Sequence, residues 1–90
     1  MEDKFIEFSD EATLELHKAI CFMEFNGKKE EFWEDINRQI ELIKKFPLAF
    51  QVRYKNVRII PLEQFKYSIH YIVNVKGITV YRFLNQNQNF

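Results

Sequence analysis

Apolar residues recur at the spacing of one helical face at Ala12, Leu16, Ala19, Ile20 and Met23, and again at Phe32, Ile36, Ile40 and Ile43. The first set predicts a helix near residues 10–25, with Ser9 as its N-cap. Asp10 and Glu11 place negative charge beside the unsatisfied amides of its first turn, and Asn26-Gly27 ends it. The second set predicts a helix near residues 29–46, with Glu30 and Glu31 early, Lys44 and Lys45 late, and Pro47 blocking continuation. So short a connection fits only an antiparallel helical hairpin.

Outside the helices the period changes. Lys4–Phe8 is short, aromatic and β-branched, and predicts a first strand that stops at Ser9-Asp10. Three β-rich runs, Val52–Ile60, Phe65–Val73 and Ile78–Leu84, are separated by short turn segments and predict an antiparallel meander. In the middle run Phe65, Tyr67, Ile69, Tyr71 and Val73 share one face, while Lys66, Ser68, His70, Ile72 and Asn74 share the other. The first face is expected to meet the helices and to bury Tyr67, Ile69 and Tyr71 against Leu16, Ile36 and Ile40. The fold class is therefore α+β, in the order β-α-α-β-β-β, with the helical hairpin on one face of a small, mainly antiparallel sheet. Residues 1–84 are expected to form one domain, and residues 85–90, Asn-Gln-Asn-Gln-Asn-Phe, a frayed polar C-terminal tail.

Composition narrows the function classes. At 90 residues the chain has room for one core, and ten Phe, four Tyr and one Trp make that core aromatic. A single cysteine excludes an internal disulfide, the acidic residues 1–8 do not read as a signal peptide, and no apolar run approaches a membrane span. The expectation is a soluble cytoplasmic protein with no membrane partner. Thirteen basic and thirteen acidic residues give no net-charge argument for nucleic acid. The halves differ, however: residues 1–46 hold seven Lys/Arg and twelve Asp/Glu, a sum of −5, whereas residues 47–90 hold six and one, a sum of +5. Either a basic face for an anionic partner or simply Glu-rich helices beside Glu-poor strands produces such asymmetry.

Few residues suggest chemistry on their own. His17 and Cys21 are four apart on the first helix, as in a two-ligand metal site, but no second pair completes a tetrahedral shell. Glycine-rich phosphate loops, Cys-x-x-Cys pairs and nucleophilic serine motifs are missing from the sequence, so neither metal nor cofactor is expected. Trp33, beside Phe32, reads equally as an exposed anchor or as a cap on the hairpin. The final strand is apolar at both parities, with Ile78, Val80 and Leu84 on one and Tyr81 and Phe83 on the other. Together with Ile72 these residues predict a covered sheet face, which makes Ile72, Ile78, Val80 and Leu84 candidate partner contacts. A homodimer or a tail that folds back is the alternative cover.

The element order, Lys55-Asn56-Val57-Arg58, and Phe65-Lys66-Tyr67-Ser68-Ile69-His70-Tyr71 at their separation after the two helices together resemble the RelE/ParE toxin family of bacterial type II toxin–antitoxin systems. That resemblance spans nearly the whole chain. It implies a cognate antitoxin as partner, and the translating ribosome with its mRNA, or DNA gyrase, as target. Departures bear on mechanism. Gln64-Phe65-Lys66-Tyr67 stands where many members read Arg-Phe-Pro-Tyr, and Asn85 and Gln88 replace the histidine and arginine of the family's tail. Ser68 falls where RNA-cleaving relatives carry a basic residue.

RNA cleavage by 2′-hydroxyl attack needs a base, charge stabilisation at the phosphorus and a proton for the leaving oxygen. Arg58 is the candidate for charge stabilisation and His70 for the base, while a surface histidine without catalytic role is the plainer alternative. Arg53, Lys55, Arg58 and Arg82 are the candidate target contacts, yet strand parity points Arg53 and Lys55 one way and Arg58 the other unless a bulge intervenes. The expectation is a toxin-like, antitoxin-binding protein with little ribosome-dependent RNA cleavage. An active endoribonuclease, or a diverged homologue without poisoning activity, is the alternative.

Overall fold

The first helix is set by its ends. In a computed structural model that describes residues 5–86, the Ser9 hydroxyl accepts from the Ala12 amide at 3.0 Å and opens helix α1, Asp10–Phe25. Gly27, at φ 72°, closes it: the amide of Lys28 donates to the Met23 carbonyl at 2.8 Å and that of Gly27 to the Glu24 carbonyl at 3.1 Å. Helix α2, Lys29–Lys45, follows at once. The strands are β1 (Phe5–Phe8), β2 (Val52–Tyr54), β3 (Val57–Pro61), β4 (Tyr67–Asn74) and β5 (Gly77–Asn85), in the sheet order β1-β5-β4-β3-β2. All neighbours are antiparallel except β1, which runs parallel to β5. The α+β architecture, the hairpin of helices and the meander are as the sequence predicts.

One element differs. Residues 52–60, read as a single strand, fold into the hairpin β2–β3. Lys55 and Asn56 both adopt positive φ, 42° and 66°, which makes a tight two-residue turn of the primed type. Asparagine tolerates that region and no glycine marks it, so the turn hides inside a β-rich run.

Packing follows the aromatic residues. Phe32 of α2 lies edge-on to Phe65, Tyr67 and Phe83 at centroid distances of 5.1, 5.4 and 6.0 Å, and Tyr67 stacks on Phe83 at 5.2 Å. Ala12, Ala19, Met23, Ile36, Ile43, Ile69 and Tyr71 complete the helix–sheet core, with Leu16, Ile40, Tyr67 and Trp33 partly buried against it. Trp33 therefore packs inward at its helix face. Asp35 and Gln39 are buried on the same side of α2, because the Asp35 carboxylate holds the β3–β4 connection: Oδ1 accepts from the Glu63 amide at 3.0 Å and Oδ2 from the Gln64 amide at 2.7 Å.

At the far end of β5, Asn85 pairs with Tyr67 and the Gln86 amide donates to the Lys66 carbonyl at 2.8 Å. The sheet thus takes in Asn85, the first residue of the expected tail, Gln86 is hydrogen-bonded just past its end, and residues 87–90 lie outside the described ones. Among the described residues no helix is long and apolar enough to cross a membrane.

Candidate functional site

Register decides where the candidate residues go. Arg58 pairs with Tyr71 and Ile59 with His70, so Arg58 faces the helices and His70 the opposite side of the sheet. Arg58 Nη1 donates to the Phe50 carbonyl at 2.6 Å and the Tyr71 hydroxyl to the Pro47 carbonyl at 2.8 Å. Both side chains therefore tether the segment after α2. Burial pushes the Tyr71 phenol up to about 12, against a smaller opposing pull from Arg58. Arg53 and Lys55 are exposed on the β2–β3 hairpin. The pair proposed from sequence for catalysis, Arg58 and His70, is separated by the sheet itself.

His70 is fully buried although its strand face points away from the helices. Tyr54 covers it, with Oη and Nδ1 3.0 Å apart and the rings edge-on at 6.0 Å. Burial first, then the nearby Arg82 cation, holds the imidazole below its ordinary pKa, with Glu15 opposing. Burial and Tyr81 likewise raise the Tyr54 phenol. The imidazole, capped by the phenol, is closed to bulk solvent at its ring.

Arg82 sits opposite His70 at a bulge in β5, where the register steps from His70↔Arg82 to Tyr71↔Val80 and leaves Tyr81 over. From there its guanidinium meets Glu15 of α1: Nε lies 3.1 and 2.9 Å from the two carboxylate oxygens and Nη2 2.5 Å from Oε2. The hydrogen bond to Glu15 raises the Arg82 pKa. Glu15 Oε1 also accepts from the Phe83 amide at 2.9 Å. One carboxylate thus pins both the side chain and the backbone of β5 to the helix. Of the four basic residues singled out from sequence, two are exposed and two are tied inside the chain.

The same bulge rearranges the apolar parities of β5. Ile78 and Val80 lie in the helix–sheet core, and past the extra residue it is Phe83, not Leu84, that joins them. Leu84 is buried on the other side, and Ile72 stays partly exposed. Three of the four residues read from sequence as candidate partner contacts, Ile78, Val80 and Leu84, are thus buried in the chain's own packing. A one-residue bulge cannot be read from alternation, because it exchanges the faces beyond it.

Sequence reasoning missed a cleft of about 410 Å³ lined by Glu15, Lys18, Ala19, Phe22, Tyr67, Phe83 and Asn85. The signal was present as Phe22, an apolar residue off the buried stripe of α1 that is exposed, as Leu14 and Phe25 are on the same helix. His17 Nε2 and Cys21 Sγ lie 3.8 Å apart on exposed helix surface. Among the described residues, no group of three or more His, Cys, Asp or Glu is placed to hold a metal ion.

A helical hairpin against a mixed five-stranded sheet of this order defines a class met among solved structures. The chain superposes on one described as "Chromosomal ParDE TA system from P. aeruginosa", with a TM-score of 0.68, 16% identity, and coverage of 91% of this chain and 95% of that one. At that identity the likeness concerns the fold, and it extends the resemblance carried by residues 55–58 and 65–71 to the whole architecture. No family model and no curated protein matches the sequence.

Proposed function

We propose that this protein is the toxin-type member of a toxin–antitoxin pair, working in the cytoplasm, whose primary activity is binding a cognate antitoxin. The observation that carries the reading is the fold shared over 91% of the chain with a member of a ParDE TA system. Binding is favoured over RNA cleavage because Arg58 and His70 occupy opposite faces of the sheet and Arg82 is neutralised by Glu15. Transition-state stabilisation of a phosphoryl group needs converging, unengaged cations, and the loss of one well-placed donor costs on the order of 10²–10³ in rate. DNA gyrase or the translating ribosome is the target class.

Induction in cells, with and without the small protein encoded by the adjoining reading frame, tests this. Growth arrest relieved by co-expression, with the two proteins purifying as one complex, is expected. Failure of that protein to bind overturns the reading. Cuts within codons of translated messages, suppressed by the partner and abolished by Arg58→Ala, would install the endoribonuclease in its place.

A further inference from the structure

We propose that the cleft between α1 and the C-terminal half of β5 is the seat of an acidic–apolar segment of the partner protein. An apolar side chain enters over Phe22, Tyr67 and Phe83, and a neighbouring Asp or Glu meets Lys18. This rests on the toxin–antitoxin reading and assigns that partner a place and a chemistry.

The cleft has the size of a ligand site, about 410 Å³, and its apolar part is aromatic, formed by Phe22 together with the stacked Tyr67–Phe83 pair. Phe22 is 59% exposed, and Leu14, 55%, and Phe25, 90%, are further exposed apolar residues of the same helix. So much exposed apolar surface on one helix marks a place where another chain packs.

Charge selects the occupant. Two charged residues line the cleft, Glu15 and Lys18. Glu15 is neutralised, since its oxygens take the Arg82 guanidinium and the Phe83 amide. Lys18 has no ion pair among the described residues and stands exposed at the rim. An incoming carboxylate is therefore favoured beside Lys18.

The mode of docking is also constrained. β1 pairs with β5 only from Gly77 to Val80, so beyond Val80 that edge faces α1 rather than a strand. The Ser9 hydroxyl donates to the Tyr81 carbonyl at 2.8 Å and Glu15 accepts from the Phe83 amide at 2.9 Å. Those groups would have to be released before a strand could add there. At this stretch of β5 the partner consequently engages by side chains in the cleft rather than by strand addition.

The test compares binding of the protein encoded by the adjoining reading frame to the unaltered chain, Lys18→Glu, Phe22→Ser and the control Lys76→Glu, by isothermal titration at two salt concentrations. Lys76 is exposed at the other end of β5, in the β4–β5 turn. Lys18→Glu is expected to weaken binding by about tenfold or more, with a reduced salt dependence, whereas Lys76→Glu stays within about twofold. Phe22→Ser is expected to weaken it similarly without altering the salt dependence. Circular dichroism confirms that each variant is folded, and both substituted side chains are exposed. A tight complex indifferent to Lys18→Glu and Phe22→Ser overturns the cleft and leaves the toxin–antitoxin reading standing. Self-association abolished by Phe22→Ser, with no effect on the complex, makes a second copy the occupant and also overturns it. No complex with the unaltered chain removes both.

Discussion

Replacing Asp35 by asparagine changes almost no volume and removes a charge, so its cost measures what the carboxylate does. Asp35 is 1% exposed, and its two oxygens serve different donors: Oδ1 accepts from the Glu63 amide at 3.0 Å and from Gln39 Nε2 at 3.2 Å, Oδ2 from the Gln64 amide at 2.7 Å. Asparagine offers one oxygen and one NH₂ group. Whichever way it turns, a donor faces a backbone amide that was previously bonded. A hydrogen bond to a charged group contributes about 1.5–3 kcal/mol net, and a buried unsatisfied donor costs about 1–3 kcal/mol. With partial relaxation of the loop, the expected destabilisation is about 2–4 kcal/mol, a large part of the stability of an ordinary small protein. Urea unfolding should show a lower midpoint at an unchanged slope, and the thermal midpoint should fall by about 10 °C or more. Asp35→Ala should cost at least as much, since it also leaves a void. An Asp35→Asn variant within about 0.5 kcal/mol of the unaltered chain would refute the account of how the β3–β4 connection is held.

Gly77 has φ 155°, and a Cβ there would lie 2.3 Å from the Phe5 carbonyl oxygen, so Gly77→Ala is expected to push β1 off β5 and cost about 2 kcal/mol or more in chemical denaturation. His70 is held below its ordinary pKa in the folded state, so as pH falls below about 6.5 the unfolded chain takes up a proton that the folded one resists. Stability should therefore decline from pH 7.5 towards 5.5, and His70→Gln should lose that part of the slope in a series of thermal midpoints. Tyr71, raised to about 12, gives the mirror case: stability is full below the unfolded phenol's value of about 10 and is lost as pH rises towards 12. Ultraviolet titration at high pH should find this tyrosine ionising only with unfolding.

The helices were legible because their signals are local. Ser9, the acidic first turns, Asn26-Gly27 and Pro47 each act within a turn of the residue they mark, and the apolar stripes repeat often enough to fix the buried faces. What escaped the sequence depends on two segments meeting. The Lys55-Asn56 turn is not announced by glycine, and the bulge at Tyr81–Arg82 exists only in register against His70 and Tyr71. Arg82 reads from sequence as an exposed strand cation, and only Glu15, 67 residues away, turns it into an internal strut. Arg58 and His70 look like neighbours in a patch until the pleat sends them to opposite faces. Asp35 and Gln39 carry polar signs on a buried face, so periodicity alone assigns them to solvent.

The parallel pairing of β1 with β5 joins Phe5 to Gly77 across almost the whole described chain, and it sets the order in which the molecule is made. During synthesis the helical hairpin can form from contacts close in sequence, and β2, β3 and β4 can pair in turn. None of this completes the sheet. β1 waits without a partner, and α1 keeps its Glu15 carboxylate in water, until residues 77–85 have left the ribosome. Arrival of that strand then supplies the neighbour of β1, the Arg82 and Phe83 donors for Glu15, and the aromatic floor beside Phe22 together. A nascent chain therefore lacks the cleft between α1 and β5, and the finished one gains that cleft together with the β1–β5 pairing.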